Sequence, residues 1–356
     1  MKFLPKWIAW ETTERCNLTC IHCRCSSHME KDLFALDTRS SFALIDNVAS
    51  YCKPVFVLSG GEPLMRPDLY EIVRYGNRKG FRMCIATNGA LLDDTHCRQM
   101  VESGVKIVSM SLDGSTAAVH DDFRRVPGAF ESVLQAAERL NRHGIKFIVN
   151  SSFTKRNRHD IAETFQKAKE LGAMAWYMFL IVPTGRGKEA TAELIETEDY
   201  EDILHWHYER EKEEGDILMR PTCAPHYYRL VIQRNKGAER GEKLKRRSLS
   251  FSTGGGKGCI AAQSICFVNA HGDVNPCSYL PLSAGNLLES SFKEIWEESR
   301  LFRDMRDFES YGGRCGKCEY LNVCGGCRAR AYAIAGDYMG EEPFCDHVPH
   351  RLRKAR

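Results

Sequence analysis

The strongest chemical signal is three cysteines in one short run, Cys16-Asn17-Leu18-Thr19-Cys20-Ile21-His22-Cys23. Thiols packed this closely along the chain cannot form sensible disulfides with one another. As thiolates they can occupy three corners of one iron–sulfur cubane, because thiolate is the usual ligand of such clusters. A structural site would take a fourth protein ligand. A three-thiolate set leaves one metal position open, and open positions are where metal chemistry happens. The same residues also admit a zinc site with Cys25 as fourth ligand.

A second constellation lies near the other end. Cys259 is followed by Cys266, Gly272 and Cys277, and then by Cys315, Cys318, Cys324, Cys327 and Cys345. The chain holds 16 cysteines in all, and the four outside these two groups and Cys25 are Cys52, Cys84, Cys97 and Cys223. The N-terminus, Met1-Lys2-Phe3-Leu4-Pro5-Lys6-Trp7, lacks the apolar region of a signal peptide, so a cytoplasmic location is expected. In a reducing compartment clustered cysteines bind metal rather than pair. A zinc ribbon is the alternative for the second group, but its two knuckles are normally separated by about 15–20 residues, far more than lie between Cys318 and Cys324.

The bulk numbers exclude other classes. A net charge of +3 over 356 residues is too small for a nucleic-acid binder. No run of about 18 apolar residues suggests a membrane span. With 43% apolar and 27% charged residues, the chain reads as an ordinary globular protein, expected to be monomeric.

The elements that must position these cysteines follow from periodicity. Strand candidates span 7–12, 54–59, 82–87, 106–112, 146–153 and 175–182. Amphipathic stretches at 38–51, 68–79, 95–103, 129–143 and 160–171 lie between them, and Gly80, Gly104, Gly144 and Gly172 close four of these as C-caps. Six βα units imply an α/β fold with a parallel sheet. Six is fewer than the eight of a closed barrel, so a partial (β/α)6 TIM-like barrel is expected. The expected division is a barrel at 1–185, a bridging helix and basic loop at 186–257, and a small cysteine-rich domain at 258–356.

The C-x3-C-x2-C motif after the first strand resembles the signature of the radical S-adenosylmethionine (SAM) superfamily, and the likeness extends over 7–185. The resemblance implies a 4Fe-4S cluster on Cys16, Cys20 and Cys23, which act as the catalytic centre that cleaves SAM to a 5′-deoxyadenosyl radical. It implies that Gly60-Gly61-Glu62-Pro63 receives the SAM amino group. Thr87-Asn88-Gly89 and Ser111-Leu112-Asp113-Gly114 look like segments that line the cofactor, with Asn88, Ser111 and Asp113 as contacts. Asn150 and Ser152 would reach the ribose, and Arg124 resembles the arginine that pairs the SAM carboxylate. Val182-Pro183-Thr184 would pack near the adenine.

The second group resembles the SPASM extension of this superfamily, which carries auxiliary 4Fe-4S clusters. Its last interval departs from the family pattern, with two residues rather than three between Cys324 and Cys327. One cluster would use Cys259, Cys266, Cys277 and Cys327, and the other Cys315, Cys318, Cys324 and Cys345. One or two such clusters are compatible with the spacing. Cys25 and Cys223 read as packing cysteines.

Segments such as Cys23-Arg24-Cys25-Ser26-Ser27, Arg220-Pro221-Thr222-Cys223-Ala224-Pro225-His226-Tyr227 and Cys324-Gly325-Gly326-Cys327-Arg328 look like the tetrapyrrole-modifying branch, most of all the haem synthases of the sirohaem-dependent pathway. That likeness implies oxidative decarboxylation of two propionates of iron-coproporphyrin III to vinyls, with a low-potential electron donor as partner. Arg220, Arg229 and the run Lys243, Lys245, Arg246, Arg247 are candidates for holding propionates, though the run also reads as a solvated loop. His226, Tyr227 and Tyr228 could border the ring or ligate its iron, or His226 could simply be a buried, satisfied histidine. The rival readings are a sister enzyme removing side chains from a sirohaem derivative, a peptide-modifying SPASM enzyme, and a haem carrier with structural clusters.

Overall fold

The computed structural model describes residues 3–32, 36–236 and 256–353. Six strands come in the expected order: β1 (Trp7–Glu11), β2 (Val55–Ser59), β3 (Arg82–Thr87), β4 (Val108–Ser111), β5 (Phe147–Phe153) and β6 (Ala175–Leu180). Helices α1 (Thr38–Ala49), α2 (Leu69–Arg78), α3 (Asp94–Ser103), α4 (Ala117–Arg124), α5 (Ala129–Arg142) and α6 (Ile161–Glu170) return the chain between them. Local chemistry marks their starts: the side chains of Asp37, Asp93 and Thr116 accept from the backbone N–H groups of Ser40, His96 and Val119.

Three further strands extend the sheet. β7 (Leu218–Thr222) follows the long α7 (Thr197–Glu213) and pairs parallel to β6, and α8 (His226–Lys236) comes next. β7 escapes the sequence pattern because it contains Arg220 and Pro221. It is an edge strand, where the missing N–H of proline costs no ladder bond. β8 (Ile265–Val268) pairs parallel to β1 on the other side, and β9 (Val274–Asn275) completes the order β7-β6-β5-β4-β3-β2-β1-β8-β9. The barrel is therefore open, and the cysteine-rich segment continues its sheet instead of hanging from a linker.

The period of two along each strand sorts the core. Outward residues such as Trp10, Phe56, Met83, Val149 and Trp176 are fully buried under the helices. Inward, Val55, Val57, Cys84 and Ile107 plug one end of the barrel with Trp7 and Ile148. At the C-terminal ends the inward residues include Glu11, Ser59, Ser111 and Ser152.

The last third docks through specific bonds. Asn47 of α1 donates to the carbonyls of Leu287 and Ser290 at 2.8 and 2.9 Å and accepts from Phe292 N at 2.8 Å, at the start of α9 (Phe292–Glu298). Arg306, ending α10 (Arg300–Arg306), donates to the carbonyls of Ala262 and Trp296 and stacks over Phe3, Trp296 and Phe302. A further helix, α11 (Arg328–Ala335), begins directly after Cys327.

Candidate active site and thiol clusters

Past β1 the chain runs against the turn that follows β2. Gly61 N donates to Thr13 O and Glu62 N to Arg15 O, both at 2.8 Å. This approach requires glycine: a Cβ on Gly61 would stand 2.1 Å from the Arg15 carbonyl oxygen, and one on Gly60 would stand 2.3 Å from that of Thr13. Glu62 is buried, with Oε1 accepting from Leu64 N and Thr87 Oγ1 and Oε2 from Asn88 N. Burial pushes its carboxyl up to about 7 against the pull of these donors. Its side chain therefore bolts the glycine turn to the end of β3, and the half-buried edge that faces outward is the backbone of Gly60 and Gly61.

The loop held by this turn carries the three cysteines. Cys16 Sγ accepts from Leu18 N at 3.4 Å and from Asn88 Nδ2 at 3.8 Å. Cys20 Sγ accepts from Arg124 Nη1 at 3.5 Å. Cys16 and Cys20 are buried beside half-buried Cys23, in one small cluster with Leu18. Burial pushes the Cys16 thiol up to about 12 and raises that of Cys20 as well, against the pull of Arg124. Three converging thiols with N–H donors aimed at two of the sulfurs suit an iron–sulfur cluster. Cys25 turns its thiol to the Gly60 carbonyl instead, at 3.8 Å.

A residue absent from the sequence reading holds the same loop from behind. Arg186 donates through Nε to Cys20 O at 2.8 Å and through both terminal nitrogens to Ser27 O, while its own N–H bonds Cys23 O at 2.9 Å. The preceding Gly185 has φ of +56°, and a Cβ there would meet Arg24 O at 2.1 Å. The Gly-Arg-Gly run after the sixth strand was the available signal.

The remaining expected cofactor contacts gather at the ends of β4 and β5. Arg124 forms a buried ion pair with Asp113, and its Nε has no hydrogen-bond partner. Asp113 Oδ1 accepts from Ser152 N at 2.6 Å, and Asp113 N donates to His120 Nδ1 at 3.0 Å. Asn150 donates to Ser109 Oγ at 2.7 Å, leaves its buried Oδ1 without a partner, and stands beside Ser111 in register. An unmatched guanidinium nitrogen and an unmatched amide oxygen suit a polar ligand such as SAM. His22 stacks on Phe123 at 4.6 Å between ring centres.

The inner wall continues through Tyr177 and Phe179 of β6 to their register partners Arg220 and Thr222 of β7. Across the opening Arg24 lies over Phe267 of β8 at 4.3 Å. Arg220 also approaches Glu211 at 3.8 Å. Arg229 is committed elsewhere, in an ion pair with buried Glu201 on α7. Lys243, Lys245, Arg246 and Arg247 lie outside the described residues.

The other cysteines form two sets. Cys315, Cys318, Cys324 and Cys345 line one cavity together with His226, Arg229, Glu342 and His347. This is the expected second set, and four thiols around one cavity suit a cluster. His226 is buried in its wall with neither ring nitrogen bonded, and burial holds its imidazole down to about 4. The other set is corrected by the structure. Cys266 lies on β8, whose alternation turns it away from the Phe267 side and into the core beside Cys52 and Arg306. Burial raises the Cys223 thiol, and the neighbouring Cys327, Cys277 and Cys259 raise it further, an unexpected fourth cysteine beside the other three.

Residues 10–168 match the radical SAM superfamily, and residues 259–328 match the SPASM iron–sulfur cluster-binding domain. The chain is 47% identical to the AdoMet-dependent heme synthase of Methanosarcina barkeri, over 97% of both chains. It is 42% identical to that of Nitratidesulfovibrio vulgaris, over 99% of this chain and 95% of the other. Among solved structures, Streptococcus suis SuiB bound to S-adenosylmethionine superposes with a TM-score of 0.74 at 16% identity, covering 97% of this chain and 78% of that one, which shows the shared fold.

Proposed function

The chain belongs to the AdoMet-dependent heme synthase family of radical SAM enzymes, and on that premise we propose that it makes haem b from iron-coproporphyrin III by oxidative decarboxylation of two propionates. The observation that carries this reading is that the similarity runs over 97% of both chains, both cysteine-bearing ends included. When bound, the cluster on Cys16, Cys20 and Cys23 and its SAM supply one-electron cleavage of SAM and hydrogen-atom abstraction from a C–H bond.

The chain's own residues position, charge-match and shield. Arg124 and Asp113 brace the thiol loop against β4, and Arg186 braces it from the opposite side. Asn88, Ser111, Asn150 and Ser152 offer the polar rim on which SAM would rest. Arg24 over Phe267, and Arg220 beside Tyr177 and already approached by Glu211, are the guanidinium groups with which a propionate would pair. Removing one hydrogen atom from the propionate carbon next to the ring, then carbon dioxide and one electron, leaves a vinyl group. That electron needs an acceptor, and the thiol clusters beyond β7 and β8 would hold one.

The test is anaerobic turnover with SAM and a strong reductant, given either iron-coproporphyrin III or didecarboxysirohaem. Loss of two carboxyl groups from the first, with no change in the second, is the expected outcome. Side-chain loss from the sirohaem derivative alone would assign the sister activity.

A further inference from the structure

We propose that Cys223 is the fourth ligand of the auxiliary cluster held by Cys259, Cys277 and Cys327, the place that spacing would give to Cys266. The inference rests on the SPASM iron–sulfur family, not on the identity of the substrate.

Cys223 is the first residue after β7, at the C-terminal end of an edge strand of the sheet. It is half-buried and adopts φ of +56°, a left-handed conformation uncommon for a side chain of this kind. Its carbonyl accepts from Arg330 Nη2 at 2.8 Å and from Tyr200 Oη at 2.9 Å. Arg330 of α11 pairs in turn with Glu342 at 3.2 Å, and Glu342 Oε2 accepts from Cys327 N at 2.7 Å. One buried chain of polar contacts thus fixes Cys223 and Cys327 relative to each other. Both charged partners are about 1% exposed.

Cys259 is brought to the same place by its neighbours. Its N–H donates to Cys324 O at 2.9 Å, and a Cβ on Gly258 would lie 2.7 Å from Pro225 Cβ, two residues beyond Cys223. The Gly325-Gly326 pair explains how one short run serves two clusters. Both glycines have positive φ, +72° and +59°, so Cys324 faces the cavity of Cys315, Cys318 and Cys345 while Cys327 turns to the other side. Two residues between Cys324 and Cys327 suffice for this reversal because both are glycine.

Cys223, Cys259, Cys277 and Cys327 together would match the ligand count of a closed 4Fe-4S cluster, each losing its proton as it binds iron. A closed set fits a cluster that exchanges electrons, whereas three thiols would leave an iron open to bind a ligand. Cys266 cannot take the position: it sits in a β8–β1 pair, fully buried among core residues.

The test compares Cys223→Ala, Cys223→Ser and Cys266→Ala in the full chain, reconstituted anaerobically with iron and sulfide. Iron and sulfide are counted, and the reduced proteins are examined by electron paramagnetic resonance. Cys223→Ala should lose one cluster's worth of iron, or keep it with an altered signal, and Cys266→Ala should match the parent in both. Cys223→Ser keeps the size of the side chain, so it should fold and still show a shifted signal. Full iron with an unchanged spectrum in both Cys223 variants would overturn the inference, as would loss of a cluster from Cys266→Ala.

Discussion

Arg124 serves two acidic partners at once, since its guanidinium pairs with Asp113 and also donates to Cys20 Sγ. Replacing it with Met would strand a fully buried carboxylate, which typically costs about 3–5 kcal/mol. Urea unfolding of Arg124→Met should show that loss, and a value near zero would mean Asp113 finds another partner. His120 gives a pH signature. Burial holds its imidazole down to about 3, below the ordinary 6.5, while Nδ1 accepts from Asp113 N. A depressed histidine means the unfolded chain takes up the proton first. Stability should therefore fall as pH drops from 6.5 towards 3, by at most about 1.4 kcal/mol per unit from this group. His120→Asn keeps an acceptor without titrating, so its denaturant midpoint should vary less between pH 6.5 and 5. An unchanged slope would assign the acid sensitivity to another group.

At the scale of elements, the thiol loop has no regular structure of its own and takes its shape from what grips it. The Gly60–Glu62 turn holds one side and Gly185-Arg186 the other. Gly61→Ala forces a Cβ onto the Arg15 carbonyl and should empty the three-thiol site while leaving the auxiliary iron in place. Arg186→Ala should weaken iron retention at the same site with little change in far-ultraviolet circular dichroism. The six core strands and their helices were legible from periodicity and glycine caps, because each βα unit buries a continuous apolar run. β7 was not, since Arg220 and Pro221 break its apolar pattern and only an edge position makes them tolerable. Missing β7 hid the meaning of Cys223, which stands at its end. The three-thiol motif was readable because its ligands are local. The pairing of Cys259 and Cys277 with Cys223 and Cys327 depends on tertiary approach, which spacing cannot encode.

At the scale of the whole molecule, β8 lies beside β1 and makes one sheet of the barrel and the cysteine-rich segment. Ending the chain after residue 257 would expose the edge of β1, an unpaired apolar strand of the kind that drives aggregation. Such a truncation should be insoluble or oligomeric in size-exclusion chromatography, and a monodisperse folded product would show that the barrel needs no such cover.

The most direct test is to supply iron-coproporphyrin III deuterated at the propionate carbons next to the ring, and to examine both products by mass spectrometry. Deuterium in 5′-deoxyadenosine together with haem b lacking two carboxyl groups is the predicted result. Unlabelled 5′-deoxyadenosine with the porphyrin unchanged would contradict the assignment of this substrate and leave only the radical SAM chemistry standing.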